Sequence, residues 1–127
     1  SYPETLEIEK KIILAKGEKL DVVFPDKLLT LTITFVREIR EHKDVLKKPS
    51  ERASLGLYER AQANAFLAKR KTDTAQDVAD AIISVLSHRI VLRPSVIYLV
   101  TGEAFLAEVY KLFSRDQEEL GSGDGSL

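Results

Sequence analysis

The stretch 49–89 constrains the fold more than any other. It reads PSERASLGLYERAQANAFLAKR, then KTD, then TAQDVADAIISVLSHR. Two helices joined by a tight turn account for this pattern. Pro49 disfavours helix in Lys48, and Ser50 is placed to cap the first free N–H groups. Ala53, Leu57, Ala61, Ala65 and Ala68 recur on one side of the helical wheel, with Tyr58 beside them. A face made mostly of alanine lets another helix approach closely. Leu55 and Phe66 add an apolar flank, which predicts a central helix. Thr74 opens the second helix, with Asp77 at the capping-box position. Val78, Ile82, Val85 and Leu86 form its apolar stripe, and Asp77, Asp80, Ser84 and Ser87 its wet side.

The flanking segments extend the helical pattern. Pro3 suits a first helical turn, followed by Leu6, Ile8, Ile12 and Ile13, a favourable Glu7–Lys11 spacing and a terminating Gly17. Residues 20–24 are apolar and β-branched but have no clear partner strand, so they read as a packed connector. In 26–44, TLTITF alternates with period two, as a strand would. Leu28, Phe35 and Ile39 also fit one helical face, with Leu29, Ile33 and Val36 beside it, and REIREH is rich in helix formers. The helix is the reading adopted. Residues 45–48 read as a basic linker. IVLRPS breaks at Pro94, and 95–99 make a short helical or extended turn. Thr101 caps a last helix over 103–120, with Phe105, Val109, Leu112 and Phe113 inward. The expected fold is all-α, a small bundle of about five helices in one domain over 1–120, followed by a flexible tail at 121–127, GSGDGSL.

Composition narrows the function classes. The 127 residues are 44% hydrophobic and 31% charged, enough for one domain with a core and unlike a disordered chain. A formal net charge of -1 argues against a general nucleic-acid or acidic-membrane binder. Cysteine is absent, which excludes a disulfide framework and a thiol nucleophile and fits a cytoplasmic protein. No apolar run approaches the ~18 residues of a membrane span, and no signal peptide is visible. Methionine is absent even at position 1, the pattern expected of a processed chain or a piece of a longer protein.

The chemistry is sparse. No G-x-x-x-x-G-K-[ST] phosphate loop occurs. His42 and His88 fall in different segments without metal-ligand spacing, so no metal site is expected. The carboxylates alternate with lysine and arginine as on solvated helix faces. Arg37, Arg40, Lys43, Lys47 and Lys48 form a basic cluster, diluted by Glu38, Glu41 and Asp44. It reads first as a solvated face and second as an inter-subunit surface. Arg52 stands out, because a cation in the first turn of a helix opposes the helix dipole. Taken alone, it reads as an exposed arginine or one paired with a nearby carboxylate.

The run PSERASLGLYERAQANAFLAKR, the T-x-x-D-V that follows and the terminal VLSHRI together resemble the C-terminal lid of MoxR-type AAA+ ATPases. Those lids carry an S-P-R-A-S start, an alanine-rich helix, a T-x-x-D-V cap and an L-x-H-R end. The resemblance runs from SYPETLEIEKKI to about Pro94, and departs where Glu51 replaces the family's proline before the arginine. It implies that Arg52 is the sensor-2 residue, a catalytic and nucleotide-binding arginine reaching the γ-phosphate of ATP. It also implies that the parent protein hydrolyses ATP with magnesium on an upstream AAA+ core, while this chain alone binds neither and is not an enzyme. The implied assembly is a homo-oligomeric, hexamer-like ring with chaperone-like remodelling activity, paired in some members with a von Willebrand factor A domain protein. Two other readings stay open: a free-standing helical interaction module, and a nucleic-acid-binding helical domain, since similar helix pairs occur in histone-like folds.

Overall fold

A computed structural model describes residues 2–125, and the side chains of 2–119. Six helices and one small two-stranded sheet make up the described chain. In order they are α1 (Leu6–Lys16), α2 (Asp26–Glu41), β1 (Val45–Lys47), α3 (Glu51–Leu67), α4 (Ala75–Ala81), β2 (Val91–Leu92), α5 (Pro94–Ile97) and α6 (Gly102–Gly125). A π-helical turn, Ile82–Leu86, prolongs α4.

Helix α1 starts later than Pro3 suggests. Thr5 is its N-cap, and its hydroxyl oxygen accepts from the Ile8 N–H at 3.1 Å. The Gly17 N–H closes the other end on the Ile13 carbonyl at 2.8 Å. Lys10, rather than Lys11, makes the ion pairs: to Glu7 at 3.8 Å and to Asp26 of α2 at 2.8 Å. The connector then touches the α3–α4 turn through one parallel bridge, Val23 with Thr72.

Segment TLTITF is helical, within α2. Leu29, Ile33, Phe35, Val36 and Ile39 are all buried. Thr32 with Ile33, and Phe35 with Val36, are buried as adjacent pairs, the pattern of a helix covered on a wide arc rather than of a half-buried strand.

Helix α3 is central. It packs against α1, α2, α4 and the π turn. Ala53, Leu57, Ala61 and Ala65 are buried with Tyr58, as the spacing predicts. Ala68 is instead the exposed C-cap, and Phe66 is half exposed, so the apolar flank ends before the last turn. Ser50 occupies the N-cap position, but its side chain makes no capping hydrogen bond. Thr74 and Asp77 form the expected capping box. Asp77, expected on the wet side, is buried because Arg70 folds back over it.

The basic linker is a strand. Val45 pairs with Leu92 and Lys47 with Val91, antiparallel, so β1 and β2 clasp the two ends of the α3–α4 unit together. At two and three residues these strands are too short for periodicity to reveal. In α6, Thr101 caps as expected, accepting from the Ala104 N–H at 3.1 Å. Phe105 and Phe113 are buried and Val109 packs half-buried on the core, as expected; Leu106 is buried as well, and Leu112 is half exposed instead. The helix continues past residue 120 to Gly125; residues 126–127 of the expected tail lie outside the described residues.

The main core joins α2, α3, α4, the clasp and α6 around Phe35, Leu57, Ile82 and Leu106. A smaller one seats α1 on α2 and α3 through Ile13, Leu29, Ile33 and Tyr58. No described helix is long and apolar enough to cross a membrane.

Candidate functional site

Arg52 lies in the first turn of α3, exposed. Its guanidinium makes no hydrogen bond or ion pair among the described residues, so the alternative of a local carboxylate partner is not realised. It lines a groove of about 300 Å³ between α1 and the start of α3. Pro3, Ile12 and Leu55 give that groove an apolar wall, and Lys16 and Glu51 stand with Arg52 as its exposed charged groups. A planar, permanently charged fork aimed at no protein acceptor suits a phosphate or carboxylate ligand.

Glu9 also lines the groove, yet it is 2% exposed. Three different segments converge on its carboxylate. The Tyr2 hydroxyl donates to Oε2 at 2.9 Å, the Ser54 hydroxyl donates to the same oxygen at 2.7 Å, and Arg37 Nη2 lies 3.1 Å from Oε1. Arg37 Nη2 also donates to the Pro3 carbonyl at 3.0 Å. The Tyr2 ring lies under the Arg40 guanidinium, 3.8 Å from its centroid. Burial, then the charge of Glu9 and the hydrogen bond to it, push the Tyr2 phenol up to about 12.

This arrangement revises the basic cluster. Arg37 and Arg40 hold the N-terminal segment, and only Lys43, Lys47 and Lys48 remain fully exposed. His42 packs edge-on against Phe105, 5.0 Å between centroids, and its Nδ1 accepts from the Asp44 N–H. His88 is exposed. Among the described residues no group of three or more histidines or carboxylates is placed to hold a metal ion.

A family model described as the AAA lid domain matches residues 37–108, more than half of the chain. The chain belongs to the AAA lid domain family. No curated protein and no solved structure matches it. The matched segment of the AAA lid runs from the end of α2 through the first two turns of α6, and so contains Arg52 and the whole α3–α4 unit. Helix α1, which forms one wall of the groove, lies before it.

Sequence reasoning singled out Arg52 and missed the junction beside it. Glu9 sits among alternating charges and reads as solvated. The one available signal was spacing: Tyr2, Glu9 and Ile13 are seven and four residues apart, and Ile13 is a core residue of α1. A carboxylate in register with a core position is a candidate for burial.

Proposed function

We propose that the chain is the C-terminal lid of a MoxR-type AAA+ ATPase. It closes over ATP held by a P-loop core in the same protein, and Arg52 contacts the γ-phosphate as the sensor-2 residue. The observation that carries this reading is the family match across the segment that contains Arg52, whose guanidinium is exposed on a groove and has no partner among the described residues. A guanidinium with that freedom can meet two phosphate oxygens at once and stabilise charge during phosphoryl transfer. Among the described residues no group of three or more histidines or carboxylates offers magnesium a ligand set. The metal belongs with the core, and no step here depends on it.

The finer features follow the same reading. The active assembly is a hexamer-like homo-oligomeric ring in the cytoplasm, with chaperone-like remodelling and a von Willebrand factor A domain protein as partner. The nucleic-acid reading weakens, because two of the five cations of the basic cluster, Arg37 and Arg40, are engaged internally.

The test is ATP turnover by the full-length ATPase with Arg52→Ala. Arginine fingers supply about 10³–10⁵, and a sensor arginine that also serves closure should give a smaller but still large loss. Arg52→Lys should rescue only in part, since a point charge does not reproduce the fork. Near-normal turnover with Arg52→Ala would overturn the assignment.

A further inference from the structure

We propose that Glu9 is a positioning residue for Arg52, tying the N-terminal segment to the first turn of α3 so that the arginine moves with that segment. The inference rests on the lid reading, in which residues 2–5 lead from the nucleotide-binding core.

Three observations converge. First, one buried carboxylate oxygen receives both the Tyr2 hydroxyl, from the N-terminal segment, and the Ser54 hydroxyl, from α3. Ser54 lies two residues beyond Arg52 in the same turn. Second, that turn lacks its own side-chain cap, because Ser50 makes no capping bond. The link from Ser54 to Glu9 therefore supplies a side-chain tie that the N-cap does not. Third, Arg52 itself has no partner among the described residues, so the placement of this turn governs where the guanidinium can reach.

Energetics argue against a purely stabilising role. A buried charge is costly to desolvate, and an apolar side chain of similar volume often serves stability as well or better. The use of a charge here is geometric. The Glu9 carboxylate accepts both hydroxyls, Tyr2 and Ser54, on Oε2, while Oε1 faces Arg37 as an ion pair at 3.1 Å and accepts no hydrogen bond. Glutamine has one acceptor oxygen in its place and no charge for Arg37.

The experiment is a double-mutant cycle on ATP turnover in the full-length ATPase, with Glu9→Gln, Ser54→Ala and Arg52→Ala singly and each of the first two combined with the third. Misplacing a reacting group by about 1 Å can cost on the order of a hundredfold. Glu9→Gln should therefore lower turnover by roughly tenfold or more, with ATP affinity changed less. Combined with Arg52→Ala it should cause no further loss, because both changes remove the same contact. A structural role would slow the Arg52→Ala enzyme again, in proportion, and would overturn the proposal. Normal turnover with Glu9→Gln would do the same. If Glu9→Gln does not fold, Ser54→Ala removes a single hydroxyl and must show the same reduced turnover and the same non-additivity. Arg52→Ala with normal turnover would instead bring down the lid reading, and this inference with it.

Discussion

Asp73 and Asp77 bury two carboxyl groups side by side at the turn between α3 and α4, and Arg70 answers only one of them. Arg70 Nη1 and Nη2 donate to the two oxygens of Asp77 at 2.6 and 2.7 Å. The Thr74 N–H adds a third bond at 2.8 Å. Arg70 first of all, and the Thr74 bonds after it, hold the Asp77 carboxyl below the usual carboxylate range. Asp73, 3% exposed, has no donor on either oxygen among the described residues. Burial, then the neighbouring Asp77 charge, push it up to about 7.

That pair should make stability fall with rising pH. The folded state holds the Asp73 proton up to about 7, whereas the unfolded chain releases it near 4. The stabilisation is complete below about 4 and is lost as pH rises through about 7. Asp77 acts in the opposite sense and in a lower window, its contribution being lost as pH falls below the usual carboxylate range. Urea unfolding at pH 5 and pH 8 should show the wild type weaker at pH 8. Asp73→Asn should flatten that difference, and an unchanged pH slope would refute the account.

Enlarging the alanine face of α3 should overpack it. Ala61 and Ala65 are 1% and 0% exposed, while Ala75, at the start of α4, is exposed. Ala61→Leu or Ala65→Leu should cost about 1–3 kcal/mol, and Ala75→Leu much less. Thermal melts of the three variants decide it; equal losses would contradict the central placement of α3.

Gly17 is required for space rather than for backbone freedom. Its φ of -68° is open to any residue. A Cβ there would meet the Ile13 carbonyl oxygen and the Tyr58 ring at 2.8 Å. Gly17→Ala should therefore destabilise by about 1–3 kcal/mol, and Tyr58→Leu in the same chain should relieve part of that cost. Chemical denaturation of the single and double variants measures the coupling.

Two leucines of α6 should separate sharply. Leu106 is fully buried, and truncation to alanine should cost about 2–5 kcal/mol. Leu112 is 51% exposed, and the same change should cost about 1 kcal/mol or less. Similar losses at both sites would mean that α6 packs on a different face.

The fold was legible wherever a segment was long and one-sided. The alanine face of α3, the Thr74–Asp77 box and the helical choice for TLTITF all rest on several positions agreeing. What escaped depended on partners distant in sequence. Val45–Lys47 is a strand because Val91–Leu92 lies beside it. Asp77 and Glu9 are buried because Arg70, Arg37, Tyr2 and Ser54 reach them. Arg52 was conspicuous for the opposite reason: it conflicts with the helix dipole, and no local partner resolves the conflict.

The π turn after α4 gives that segment slack in length. Such a turn holds one residue more than the α-helical count. Val78, Ile82 and Leu86 are buried along the segment, and the chain leaves the helix before it reaches the clasp. Deleting one residue from Ile82–Leu86 would let the turn close to an ordinary α-helical one and leave Leu92 beside Val45. The connector around residues 18–23, which is mostly exposed, has no helical phase to keep either. Losses of single residues during divergence should therefore be absorbed at both places, the helix taking up the change before the sheet can register it.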